Sequence, residues 1–293
     1  ARDPLGFHPL VIGKRGNAYI LASETAALNA VDAEFIRDVL PGEVVMINED
    51  GIHSDTSLCQ SKKARCIFEY IYFARPDTHI DGISVYNSRI MAGRILAQTH
   101  KVEADVVVGV PDSGNDAAIG YARQSGIPYG IGFIKNKYIG RTFIAPGQKV
   151  REDKVRIKLN VLADTVRGKR VVLVDDSIVR GTTCARIVRL LREAGATEVH
   201  MRSSAPPFTN PCYYGTDIDS KENLIACKYP LDQIAEVIGA DSMGYLDINH
   251  LNMLIGNKPG EGFCDGCFSG NYATATPIEG EKDRFEKKIS EKE

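Results

Sequence analysis

The 293-residue sequence predicts an α/β fold, a mainly parallel sheet flanked by helices. Three observations carry that expectation. Strand-like and helix-like patterns alternate from residue 84 to residue 202. Two of the strand-like runs, around Val106 to Val110 and Val171 to Val174, have the β-branched apolar content of strands buried on both faces. Both runs end in acids and small residues that lead into a helix, which puts the polar chemistry at the carboxyl edge of the sheet, where such sheets bind ligands.

Taken in order, Leu10 to Ile47 reads as short strands with one brief helix: LVIGKRG and NAYILAS around a Gly16-Asn17 turn, then ETAALNAV, then EVVMIN. That is too little to bury a core alone and reads as the last third of a domain that starts upstream. Ser84 to Thr99 has a helical pattern with Val85, Ile90, Ile95 and Leu96 on its apolar face. There follow a strand at Ala104 to Val110, a helix at Asn115 to Gln124, a short strand at Pro128 to Gly132, a strand at Arg170 to Val174, a helix at Thr182 to Ala194 and a strand at Glu198 to Arg202. A long polar stretch, Lys135 to Lys158, interrupts the alternation and carries Lys135, Lys137, Arg141, Lys149 and Arg151. It reads either as a cationic lid or as a solvated basic loop. Glu279 to Glu293 is almost wholly charged or polar and is expected to be frayed. No internal repeat is visible.

An apolar content of 43% and a charged content of 25% are those of a soluble globular chain. The net charge of −2 gives no footprint for DNA or RNA, and no apolar run approaches membrane-spanning length. With no signal peptide and no initiating methionine, a cytoplasmic protein whose beginning is missing is expected. The seven cysteines cannot all pair, so metal binding or buried thiols are favoured over bridges.

The run Arg170 to Thr183, RVVLVDDSIVRGTT, carries the most chemistry. Asp175 and Asp176 stand at the strand's end and suit hydroxyls or Mg2+. Gly181 permits close backbone approach, and Thr182, Thr183 and the first free N–H groups of the following helix suit phosphate. An acid pair after a strand is also found in plain solvated turns, and Gly-Thr-Thr is an ordinary helix start. No G-x-x-x-x-G-K-[ST] pattern occurs, so this is not a Walker loop. Residues Val171 to Thr183 resemble the phosphoribosylpyrophosphate (PRPP) signature of type I phosphoribosyltransferases, which implies that fold. The resemblance assigns Asp175 and Asp176 to the ribose hydroxyls and Mg2+, and Ser177, Ile178, Val179, Arg180, Gly181, Thr182 and Thr183 to the 5′-phosphate loop. It makes Pro111, Asp112, Ser113 and Gly114 the pyrophosphate loop, with Ser113 offering a hydroxyl to the same Mg2+. Lys135 and Arg141 are then the lid cations that stabilise the leaving pyrophosphate.

A longer resemblance is carried by RDPLGFHPL, ASETAAL, CIFEYIYFARPD, GVPDSG, IKNKYIGRTFI, VDDSIVRGTT and CDGC, in that order. Together these segments are similar to the glutamine PRPP amidotransferases of the iron–sulfur type, from residue 1 to about residue 275. In that family ammonia from glutamine attacks C1 of PRPP to give 5-phosphoribosylamine, the committing step of purine synthesis. An N-terminal-nucleophile (Ntn) glutaminase domain precedes the transferase. The resemblance therefore implies residues 1–65 as the tail of an incomplete glutaminase domain, 66–257 as the transferase domain and 258–293 as a C-terminal segment. The family's nucleophilic cysteine lies upstream of residue 1, so ammonia-dependent transfer is the most this chain is expected to do alone. Purine nucleotides are implied as feedback inhibitors, with Ile234 to Leu254, including Gly239, Gly244 and Tyr245, expected to cover their site. A homotetramer is implied as the assembly. A PRPP-binding regulator without turnover is the rival reading.

Cys264-Asp-Gly-Cys267 is a C-x2-C knuckle that lets two thiolates face one metal. The resemblance adds Cys66 and Cys212 as the remaining ligands of a [4Fe-4S] cluster. The spacing alone serves a four-cysteine Zn2+ site equally well, and Cys59 competes with Cys66 by position. Cys184 and Cys227 read as small core residues. His8, His53, His79, His100, His200 and His250 have no ligand spacing and are expected to be surface or packed histidines.

Overall fold

The computed structural model describes residues 1–60, 62–136, 159–216, 218, 220–256 and 262–276. Strands β1 (Val11–Arg15), β2 (Ala18–Ala22) and β3 (Glu34–Asp38) form an antiparallel sheet in the order β2-β1-β3. Helix α1 (Thr25–Ala30) covers it through Leu28, in a small cluster with Val11 and Ala33. Strands β4 (Val44–Asn48) and β5 (Gly51–Asp55) form a hairpin. This front module buries little of its own apolar surface: Leu21, Phe35, Ile36, Val44 and Met46 are exposed.

Arg2 docks the front module onto the rest. Its guanidinium donates to both oxygens of Asp81, at 2.7 and 3.0 Å, and to the Val39 and His8 carbonyls. Arg65 donates to the same carboxylate. Arg65 lies on β6 (Arg65–Cys66), which leads into a π-helical turn, Glu69–Phe73. Asp81 turns the chain between β7 (His79–Ile80) and β8 (Ile83–Ser84) in the left-handed region, with φ of 48°.

The core begins with α2 (Val85–Thr99), whose N-terminus is capped by the Ser84 hydroxyl accepting from Asn87 N–H. Strand β9 (Val106–Gly109) and α3 (Gly114–Ser125) follow. The antiparallel ribbon of β10 (Phe133–Lys135) and β11 (Leu159–Val161) comes next, then β12 (Arg170–Asp175), α4 (Thr182–Glu193), β13 (Glu198–Ser203) and β14 (Ser242–Tyr245). Strand β15 (Phe263–Cys264) pairs in parallel with β6. The central sheet is parallel throughout, in the order β14-β13-β12-β9. Period two along β12 explains why its residues are apolar in succession: Val172 and Val174 enter one core with α2 and α3, while Val171 and Leu173 enter another with α4. Among the described residues, no helix is long and apolar enough to cross a membrane.

Helices α2 and α3 meet through glycines. A Cβ on Gly93 would lie 1.8 Å from the Ala117 carbonyl oxygen, and one on Gly120 would lie 2.2 Å from that of Ile90. The expected strand at Pro128 to Gly132 is reduced to a single parallel bridge, Val107 to Tyr129. Gly130 and Gly132 have no side chains to extend it, and Val106 and Val108 close over them at 2.8 and 2.4 Å from where a Cβ would stand.

Candidate active site

The parallel sheet brings the acid pair and the two loops together at its carboxyl edge. Asp175 ends β12 and Asp176 follows it, both 8% exposed. Asp176 accepts hydrogen bonds from the Ser177 hydroxyl, at 2.5 Å, and from the Ser113 hydroxyl. Ser113 is there because Gly114 lets its loop press onto β12: a Cβ on Gly114 would lie 2.5 Å from the Val174 carbonyl oxygen. Just past β13, Ser204 N–H donates to the Asp175 carbonyl at 2.9 Å, closing the floor.

Burial, with the adjacent Asp176, pushes the Asp175 carboxyl well above the usual carboxylate range. Burial also raises Asp176, against the hydroxyls of Ser113 and Ser177 that favour its charged form. Two buried acids and a hydroxyl at one point are an oxygen donor set that a hard divalent cation would relieve of its charge repulsion. Lys135, at the end of β10, reaches the same edge and pairs with Asp112.

Beyond the acids the chain runs through buried Ile178, partly buried Val179 and exposed Arg180 to Gly181. Gly181 has φ of +80° and caps α4; a Cβ there would meet Ile225 Cδ1 at 2.3 Å. Thr182 and Thr183 are exposed, and the N-cap of α4 is Gly181, which has no side chain to cap the first N–H groups. That leaves an anion-receptive helix start beside the acid pair. Lys137, Arg141, Lys149 and Arg151, of the stretch expected as a lid or a basic loop, lie outside the described residues, as does the charged tail from Glu279.

The four expected metal-binding cysteines also converge. Cys66 and Cys264 are register partners across β6 and β15, and Cys267 lies in the next turn. With Cys212 they line one recess, together with Phe7, Tyr214, Thr216 and Tyr272. Tyr214 N–H points to Cys212 Sγ at 3.4 Å. Burial raises the thiol pKa of Cys66, Cys264 and Cys267. Cys59 is not part of the recess lining. Among the described residues, no group of three or more His, Cys, Asp or Glu is placed to hold a metal ion. Cys184 is buried as expected, whereas Cys227 is exposed: its single-turn helix turns it outward, toward the Thr209 carbonyl at 3.4 Å.

One neighbour of the site was not anticipated. Arg89, 3% exposed, donates to the carbonyls of Tyr70, Tyr72 and Ala74, faces Asp116 at 3.7 Å and places its charge where it favours ionised Asp176. An arginine within the buried stripe Val85, Arg89, Ala92 and Leu96 of α2 is the signal that would have found it.

Comparison with known proteins agrees with this geometry. The family described as Phosphoribosyl transferase domain matches residues 85–236, more than half of the chain. The amidophosphoribosyltransferase of Bacillus subtilis is 52% identical over 277 residues, covering 94% of this chain and 58% of that protein. That of Archaeoglobus fulgidus is 50% identical, covering 95% of this chain and 61% of that protein. Amidophosphoribosyltransferase 1 of Arabidopsis thaliana chloroplasts is 50% identical, covering 92% and 48%. The chain thus spans between 48% and 61% of the length of these three relatives. The solved B. subtilis glutamine PRPP amidotransferase, in complex with ADP and GMP, superposes with a TM-score of 0.85 at 50% identity, over 94% of this chain and 62% of that one. A structure described as the allosteric regulatory enzyme of purine biosynthesis superposes with a TM-score of 0.86, also at 50% identity, over 94% of this chain and 60% of that one. By the family match the chain belongs to the phosphoribosyltransferase family, and with these solved structures it has the type I phosphoribosyltransferase fold.

Proposed function

We propose that the chain carries the transferase half of an amidophosphoribosyltransferase, which joins ammonia to the ribosyl carbon of PRPP and releases pyrophosphate in the first committed step of purine synthesis. The observation that carries this is the acid pair Asp175 and Asp176, bonded through Ser113 to one anion loop and followed by a second at the start of α4. In this reading Asp175 and Asp176 hold the ribose hydroxyls, and Ser177 to Thr183 hold the 5′-phosphate. Pro111 to Gly114 receive the pyrophosphate, and Lys135 and Arg141 are the cations assigned to neutralise it. Mg2+ on Ser113, Asp175 and Asp176 would supply electrostatic stabilisation of the leaving group. The protein supplies no nucleophile of its own: its residues orient the sugar, exclude water and neutralise the charge that builds as the bond to pyrophosphate breaks.

The same reading divides the chain into a glutaminase tail (1–65), the transferase domain (66–257) and a C-terminal segment (258–293). The cysteines Cys66, Cys212, Cys264 and Cys267 suit a [4Fe-4S] cluster: soft donors ring one apolar recess and one accepts a backbone N–H. The cluster's role is to tie distant segments together. Purine nucleotides would compete for the phosphate loop, since they carry the same ribose 5-phosphate, and assembly as a homotetramer belongs to the same reading.

The test is phosphoribosylamine formation from PRPP and Mg2+ on anaerobically purified protein, with NH4Cl and glutamine supplied separately. Product with NH4Cl is expected. Binding of PRPP without product from either nitrogen source would overturn the transferase reading and leave the non-catalytic regulator.

A further inference from the structure

The cysteine recess has a wall that comes from outside the ligand segments. Leu5 and Phe7 run alongside β6: Ala64 N–H donates to the Leu5 carbonyl at 2.8 Å and Cys66 N–H to that of Phe7 at 2.9 Å. The Phe7 ring lines the recess and stacks on Tyr214, with centroids 4.3 Å apart and an interplanar angle of 25°. His8 then joins both flanks. Its Nδ1 meets Glu69 Oε1 at 2.9 Å and its Nε2 meets the Tyr214 carbonyl at 3.1 Å. Glu69 opens the π-helical turn just after Cys66, and Tyr214 is the residue whose N–H faces Cys212. A carboxylate and a carbonyl can only accept, so holding both requires a proton on each ring nitrogen. The imidazolium form makes both contacts at once, and the hydrogen bond to Glu69 raises the His8 pKa in that sense.

We propose that Phe7 and His8 form a strap that closes the four-thiol site, so that what the thiols hold is retained only while residues 5–8 are seated on β6. The proposal rests on the iron–sulfur reading for the identity of the bound group and on geometry alone for the closure. Opening the strap removes one side of an otherwise apolar, aromatic enclosure made by Tyr214 and Tyr272, and admits water, chelators and thiol reagents.

The experiment uses the anaerobically purified chain and its variants His8→Ala, Glu69→Gln and His8→Arg. Iron release to excess chelator is timed, and then iodoacetamide labelling of Cys66, Cys212, Cys264 and Cys267 is mapped by mass spectrometry. Exposed Cys227 serves as the internal standard. His8→Ala and Glu69→Gln are expected to speed both processes about tenfold, the equilibrium worth of one hydrogen bond to a charged partner, with Cys227 unchanged. His8→Arg, which keeps a cation with two donating arms, stays near the parent rate. Parent-like rates at the four thiols in both His8→Ala and Glu69→Gln would overturn the strap. Protein that carries no iron or sulfide would overturn the cluster reading instead, and labelling against Cys227 would still decide the closure.

Discussion

Replacing Asp81 should separate the front module from the core. The carboxylate is 11% exposed and receives Arg2, whose side chain is 2% exposed, and Arg65, at 4%. Removing it strands two buried guanidinium groups, and breaking a buried pair by deleting one partner costs about 3–5 kcal/mol. The left-handed backbone at φ of 48° works in the other direction. An L-residue there gives up roughly 1 kcal/mol that glycine would recover. Asp81→Ala should therefore lose about 4 kcal/mol, and Asp81→Gly about 3 kcal/mol. At about 2–4 °C per kcal/mol for a chain of this size, melting should fall by roughly 10 °C in both variants. Thermal unfolding by circular dichroism reads the shift, and limited proteolysis between residues 1 and 65 locates it. An Asp81→Gly protein as stable as the parent would refute the reasoning, because conformation rather than charge would then be what Asp81 supplies.

Three further outcomes are expected. Gly93→Ala drives a methyl group into the Ala117 carbonyl, 1.8 Å from the new Cβ, so α2 and α3 must separate; a loss of about 3 kcal/mol or more in denaturant unfolding is expected. Glu43, 1% exposed and held in two-armed contact by Arg37, has its pKa lowered to about 2, chiefly by that hydrogen bond. Its contribution is therefore full above the ordinary glutamate range and is lost as pH falls from there through about 2; Glu43→Gln should cost about 2 kcal/mol at neutral pH and flatten the acid limb of the stability curve. Ser113→Ala removes a hydroxyl from Asp176 and is expected to raise the PRPP KM by about tenfold with melting unchanged, measured in the NH4Cl-dependent assay.

The sheet was legible because its chemistry is local. The Val171 to Val174 run fills both faces of one strand, and the paired aspartates can lie only at its end. The Ser84 to Thr99 helix was legible from its period, and each of its four expected apolar residues is buried. What escaped detection depends on partners far away in sequence. Strand β3 has an exposed pattern and exists because β1 pairs with it, and β14 is four residues, two of them small, held in the ladder by β13. Asp81 looks like an ordinary surface charge until the guanidinium groups that surround it are assembled, and Arg89 betrays itself only by its place in the apolar stripe of α2. Phe7 and His8 lie in a segment whose motif marks family resemblance and says nothing of the recess it lines. Cys227 shows the converse: a small apolar type beside apolar neighbours, turned outward by a single helical turn.

The short parallel pairing of β6 with β15 bears on the order in which the protein can be made. Residues 65–66 leave the ribosome long before residues 263–264, so Cys66 must wait for nearly the whole core to be synthesised before Cys264 and Cys267 reach it. Closing so long a loop is slow unless the intervening sheet has already brought its ends together. The thiol site is thus a late product of folding, and a metal centre inserted there would distinguish chains whose core has closed from those still incomplete.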